Sequence, residues 1–273
     1  MKKKTVIFFI IVLFSIKLNA KVTDNLVYRI IYNSSAIEIQ NGEISDEIAY
    51  LDIGNEVTYF YNHDFMMYNA VCDSLKERGY GVHEVAHYIA AKKIVIPKMV
   101  FSVLRNYPSA GKTLYAHFVF ENYYYYEEET PQIDWQLIAG DTTLLGYQCQ
   151  KATCKFRGRD WTVYYTMDIP ISEGPYKFCG LPGLVMYAAD SKGDFTFSCI
   201  GIENPNEAEI VVDKSKWHKV EKKKLNKMLV EYYDDTLAWA FKVNGVAELI
   251  GSTKRTGFLE PSNLVPCLIE TFK

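Results

Sequence analysis

Gly174-Pro175-Tyr176-Lys177-Phe178-Cys179-Gly180-Leu181-Pro182-Gly183-Leu184-Val185 organises the reading of this chain. Pro182 presets φ near −65° and Gly183 accepts positive φ, so Leu181-Pro182-Gly183-Leu184 predicts a type II turn. Leucines on both sides of the turn predict a bend pinned into a core, not a free loop. Strand patterns lie on either side of it. Downstream, residues 184–189 and 195–202 flank Asp190-Ser191-Lys192-Gly193-Asp194, the clearest hairpin in the chain, with Phe195, Phe197 and Cys199 on one face. Upstream, residues 147–156 and 161–169 read as strands separated by a turn at Gly158.

Further out, residues 27–32, 47–61 and 114–126 carry the β-branched and aromatic content of strands, and Ile133, Trp135 and Leu137 alternate. The period changes over residues 64–78, where Phe65, Tyr68, Cys72 and Leu75 share one helical face and Gly79 marks a stop. Residues 82–93 predict a second helix with Val82, Val85, Ala86 and Ile89 on one side, ended before Pro97. Near the end, Leu225, Met228, Leu229 and Tyr232 again fall at helical spacing. The expected fold is mainly β, of the α+β class: an antiparallel sheet, a helical insert at about residues 64–95 and a C-terminal helix. No fixed-period repeat is visible.

Composition narrows the function classes. Lys2, Lys3 and Lys4 precede an apolar run over residues 5–16, and Leu18-Asn19-Ala20 offers a small residue at a cut before Lys21. Residues 1–20 therefore read as a signal peptide, too short in its apolar part to span a membrane comfortably, leaving one domain over residues 21–273. The leader carries four of the 30 basic residues, so 26 remain against 33 acidic ones and the mature net charge is −7. That balance excludes nucleic acid as an expected partner. With 21 Tyr and 15 Phe there is ample material for a core without covalent cross-links.

Trp135, Gly146-Tyr147-Gln148-Cys149, Lys151-Ala152, Phe156-Arg157-Gly158-Arg159, Trp161, Asp168-Ile169-Pro170 and Gly180-Leu181-Pro182-Gly183-Leu184 together resemble the GLPGLI family of envelope proteins from Bacteroidota. The likeness is strong over roughly residues 133–200 and weak elsewhere. It implies an exported protein of the periplasm or outer membrane and an open, half-barrel-like sheet similar to that of periplasmic lipoprotein carriers. It implies no biochemical activity. Within it, Arg157, Gly158, Arg159, Trp161 and the residues from Gly180 to Leu184 stand as structural motif positions. Four of the six cysteines, Cys149, Cys154, Cys179 and Cys199, fall in this segment, and two disulfides drawn from them are the expectation for an exported chain. Cys149 and Cys154 are five apart on one strand and face opposite sides, so they do not bond each other. The competing reading is four small buried hydrophobes.

His83-Glu84-Val85-Ala86-His87 is the sharpest catalytic pattern. On a helix, His83 and His87 would share one side for a zinc ion and Glu84 would serve as base toward its water. Gly79 and Gly81 start that helix almost at the first ligand, and Ala90 and Lys93 stand where an extended motif would place Gly and His. His63 and His117 would have to join through folding. Arg157 and Arg159 suit either an anionic group or nearby acids such as Asp160 and Asp168, and a tight turn accounts for Gly158 by itself. Tyr123-Tyr124-Tyr125-Tyr126 would line both faces of a strand, with Glu127 to Glu129 keeping an edge soluble. Lys222-Lys223-Lys224 and Lys227 read as a solvated face. The leading expectation is an exported, non-catalytic protein that docks a peptide, lipid or partner protein, with no cofactor. The alternatives are a zinc hydrolase using the 83–87 segment and a periplasmic apolar-ligand carrier.

Overall fold

The computed structural model describes residues 21–37, 44–119, 122–234 and 269–270. The expected signal peptide, Trp239, Phe241 and Cys267 lie outside the described residues. Thirteen strands form one sheet: β1 (Lys21–Ile37), β2 (Ile44–Gly54), β3 (Thr58–Asn62), β4 (Phe101–Arg105), β5 (Lys112–Val119), β6 (Asn122–Glu129), β7 (Gln136–Leu144), β8 (Tyr147–Phe156), β9 (Arg159–Thr166), β10 (Leu184–Asp190), β11 (Phe195–Glu203), β12 (Glu209–Asp213) and β13 (Trp217–Lys219). Their order is β13-β6-β5-β4-β3-β2-β1-β11-β10-β9-β8-β7, with β12 paired to β1 off this path. All pairings are antiparallel except the short β13–β6 ladder. The mainly β expectation therefore holds.

The sheet is open but strongly curled. Arg157, which follows β8, donates to Glu128 of β6 at 2.7 Å, although nine strand spacings separate β6 from β8. In a flat sheet those spacings of about 4.8 Å would set them about 43 Å apart. Only curling brings the two flanks together, while the end strands β13 and β7 stay unpaired with each other. The concave side holds the main core, including Ile30, Leu51, Phe60, Val103, Tyr115, Trp161, Phe178 and Phe197. A second core covers the convex side of β3 to β6, built from Val57, Tyr59, Leu104, Leu114 and Tyr125 and closed by Val22, Ile210 and Val212. Strands buried on both faces lose the alternation of half-exposed ones, as β4 does with all five residues buried. The four tyrosines divide as expected: Tyr124 and Tyr126 pack inward, Tyr123 and Tyr125 outward.

Between β3 and β4 the chain forms α1 (His63–Glu77) and α2 (Val82–Ala91). Asn62 caps α1 by accepting from the Phe65 amide at 2.8 Å, Asp64 favours its first turn, and Gly79 at φ 87° ends it. Phe65, Cys72 and Leu75 are its buried residues, three of the four positions expected. Buried Glu47 ties the return of the insert to the sheet by accepting from the Met99 amide at 3.1 Å. The late helix α3 (Lys222–Asp234) lays Leu225 and Leu229 on the main core. Among the described residues no helix is long and apolar enough to cross a membrane.

Candidate functional site

The stretch quoted at the outset runs through the concave side of the curled sheet. Arg105 of β4, itself buried, donates to the carbonyls of Gly174 and Tyr176, each at 3.1 Å, and so holds the segment from one wall. Phe178 meets Trp161 edge-on at 4.9 Å from the other wall, and Trp135 Nε1 donates to the Cys179 carbonyl at 2.9 Å. Tyr176, Lys177 and Phe178 have no exposed surface.

The expected type II turn is not what Gly183 provides. Positive φ falls instead on Tyr176 (56°) and Gly180 (94°). Gly183 is required by close approach, because a Cβ there would stand 1.9 Å from the Thr166 carbonyl oxygen. The segment is pinned into the core as expected, but backbone proximity, not turn handedness, selects that glycine.

A buried lysine makes this place the candidate site. The Lys177 ammonium donates to Glu128 Oε1 and Tyr126 Oη, each at 2.8 Å, and to Glu270. Three rings surround it, with Tyr115, Tyr126 and Tyr176 centroids at 4.5, 5.0 and 5.6 Å. Glu270 also accepts from Tyr176 Oη at 2.5 Å and Tyr126 Oη at 3.0 Å, with Arg157 Nε at 3.8 Å. Glu128 additionally takes Arg157 and Lys222. Burial alone would raise the Glu128 carboxyl, but Lys177, Lys222 and Arg157 outweigh it and bring it down to about 2. Burial likewise opposes ionisation of Glu270, and Lys177, Tyr176 and Arg157 hold that carboxyl below its ordinary value. Lys177 itself is lowered by its complete burial against the pull of the two acids. Three cations and two carboxylates thus converge, with Lys177 and Glu270 buried and Glu128, Arg157 and Lys222 partly exposed.

Beside this cluster His117 is buried between Tyr115 Oη at 3.2 Å and Tyr233 Oη at 3.1 Å. Burial lowers its pKa to about 3 against the pull of Glu270. The unfolded chain, whose histidine titrates near 6.5, takes up a proton first as pH falls. Stability conferred by the neutral imidazole is therefore complete above about pH 6.5 and is lost toward pH 3, at up to about 1.4 kcal/mol per pH unit. Urea unfolding of His117→Gln at stepped pH is expected to show a flatter profile between pH 6.5 and 4 than the parent. Parallel profiles would contradict the assignment.

The other sequence candidates are placed as follows. Arg157 (φ 52°) and Gly158 (φ 79°) form the two-residue turn joining β8 and β9, both in the left-handed region as a type I′ hairpin demands. The expected partners Asp160 and Asp168 give way to others. Arg157 pairs with Glu128, and Arg159 pairs with Asp190 at 2.7 Å and Asp194 at 2.6 Å. Alternation explains this, since Arg159 is buried and Asp160 on the next position faces solvent. Lys222 was expected on a solvated face, yet it reaches Glu128 at 2.7 Å. The two expected disulfides are corrected: Cys149, Cys154, Cys179 and Cys199 are all free thiols, as is Cys72. Cys149, Cys179 and Cys199 turn their Sγ to the carbonyls of Tyr147, Pro131 and Gly201, and burial raises Cys154 to about 12 and Cys199 to about 11. Cys149, Cys154 and Cys199 fill the main core as small hydrophobes, and Cys179 is half-buried.

His83, Glu84 and His87 are exposed on α2 and line one shallow recess with Tyr80 and Tyr88. The Glu84 carboxylate accepts the Gly81 amide at 2.7 Å, the reciprocal half of a capping box. His63 stacks on Tyr50 at 4.3 Å and His117 is a buried residue of β5, so neither is on α2. Among the described residues no group of three or more His, Cys, Asp or Glu is arranged to hold a metal.

No curated protein matches the chain. Two structures of PNGF-II, in space groups C2 and P21, are similar to it at 16% identity and TM-score 0.48, covering 75% and 74% of this chain. The chain spans about a third, 32%, of the length of PNGF-II. Residues 157–187, from the β8–β9 turn through the buried segment into β10, match the family model described as a protein of unknown function (Porph_ging).

Proposed function

We propose that this chain is an exported, non-catalytic envelope protein of the GLPGLI kind that docks an extended peptide segment of a partner protein along edge strand β7. The observation that carries this reading is the character of that edge. Among the described residues β7 pairs with β8 on one side and ends the sheet on the other, and it carries no lysine or proline to guard it. Leu137 and Ile138 are 66% and 44% exposed, and Leu145 at the adjoining turn is 53% exposed. An edge that pairs with no second strand among the described residues, beside exposed aliphatic side chains, suits strand addition, in which the main chain supplies affinity and alternate side chains supply selectivity. The apolar-carrier alternative lacks comparable support, because Tyr176, Phe178 and Leu181 fill the concave side. The zinc-hydrolase alternative calls on a Glu84 already engaged as a helix cap.

The test is a photo-crosslinking residue at Ile138, compared in native cells with the same residue at Lys192 in the β10–β11 turn. A polypeptide adduct of defined mass specific to position 138 is expected. It should disappear in a Leu137→Lys, Leu145→Lys variant whose melting temperature stays within about two degrees of the parent, as exposed substitutions allow. Identical adducts from both positions, none at 138, or an adduct of twice the chain mass would contradict docking of a partner.

A further inference from the structure

Glu270 lies far along the chain from the elements that surround it, 93 residues beyond Lys177. Ile269 and Glu270 sit in a bend, in neither helix nor strand, and are held by their side chains. Ile269 enters the main core, and both residues are 4% exposed. The groups that meet the Glu270 carboxylate are each fixed by something other than Glu270. Tyr126 is on β6. Tyr176 and Lys177 belong to the segment that Arg105 anchors through two carbonyls, and Arg157 belongs to a hairpin turn tied to Glu128. The charge arrangement is equally independent. Lys177, Arg157 and Lys222 all converge on Glu128, and Lys177 among them is wholly buried. A desolvated ammonium beside two phenol donors, each held by contacts other than Glu270, suits a carboxylate.

We propose that the concave side of the sheet contains a carboxylate-binding site, made by Lys177, Tyr126, Tyr176 and Arg157, which Glu270 occupies from within the same chain. Its ligand class is an acidic side chain preceded by an aliphatic one, the pattern of Ile269-Glu270. This reading does not depend on the function proposed for β7, which lies at the other end of the strand path from β6.

The experiment uses the full chain with Glu270→Ala, melted in potassium propionate and in potassium chloride at equal ionic strength, beside the parent. The variant should melt below the parent in chloride and regain several degrees in propionate, while the parent gains no more than a degree or so. Equal responses of variant and parent to propionate would overturn the site. Glu270→Gln, which keeps the volume of the anchor, provides a second measurement should the alanine variant not fold. A fluorescein-labelled peptide of residues 265–273 is titrated into it by fluorescence polarisation, with a Gln-for-Glu peptide as comparison. Binding of the acidic peptide at least tenfold tighter than its amide analogue supports the site. Equal affinities, or none for either peptide, overturn it.

Discussion

Gly183→Ala is expected to cost about 3 kcal/mol of stability and Gly183→Val to prevent folding, as overpacking against unyielding neighbours does. The added Cβ would stand 1.9 Å from the Thr166 carbonyl oxygen and 2.6 Å from its carbon, both backbone atoms. Thr166 is fully buried and registers with Leu184 in the β9–β10 ladder, so it cannot retreat without opening that pairing. The reason for the glycine decides which substitutions it tolerates. A position needing positive φ accepts Asn at modest cost, whereas one needing an absent Cβ rejects every side chain. Gly183→Asn should therefore be as damaging as Gly183→Ala. Gly180→Asn should be mild, because Gly180 has φ 94° and its nearest neighbour to an added Cβ is the Trp135 Nε1 atom at 3.7 Å. Chemical denaturation of the three variants makes the comparison. A tolerated asparagine at 183 would restore the type II turn reading.

That contrast also shows where the sequence is legible. Strand β8 occupies the expected residues 147–156, and α1 begins one residue before its expected start. In each, one face is buried and the other wet, which writes the period into the sequence. β4 gives no such sign, being five residues long and buried on both faces. β12 and β13 are five and three residues long, and their pairings lie with β1 and β6, far away in the chain. Long-range partners set such short strands, and local pattern does not encode them.

The buried charge cluster was less legible still. Lys177 lies in a Gly- and Pro-rich stretch where a lysine reads as solvated, and its partners Glu128 and Glu270 are 49 and 93 residues away. Glu128 itself belongs to a run of tyrosines and acids that suggests a wet edge. Instead it takes three cations from different parts of the chain, because the curl folds β6 onto the β8–β9 turn. One signal was present: Arg157 and Lys177 both fall within residues 157–187, the segment that matches the family model. The zinc-like pattern on α2 was the reverse case, where local spacing was clear and Glu84 is engaged as a cap.

Lys177→Met is expected to destabilise the protein by about 3–5 kcal/mol, the cost of removing one partner from a buried ionic group. The lysine is wholly buried, and its removal leaves Glu270 in the core with two phenols and an Arg157 Nε at 3.8 Å. Simple loss of side-chain packing would be largely spared by methionine, which has similar volume, so a large effect identifies charge as the cause. The double variant Lys177→Met, Glu270→Gln carries the argument further. With the stranded carboxylate neutralised it should be more stable than Lys177→Met alone, since removing both charges of a buried pair costs far less than removing one. Acid has a related effect on the parent. The carboxyl of Glu128 is held at about 2 in the fold, below its ordinary 4.5, so its contribution is complete above pH 4.5 and is lost as pH falls toward 2. In Lys177→Met the largest charge holding Glu128 down is gone, so its folded pKa moves back toward the unfolded value, less stability is lost on acidification, and the acid limb should be flatter than the parent's. Urea midpoints for parent, single and double variants between pH 2 and 7 test both expectations. A single variant as stable as the double, or an acid limb as steep as the parent's, would mean that Lys177 sits in the core without organising it.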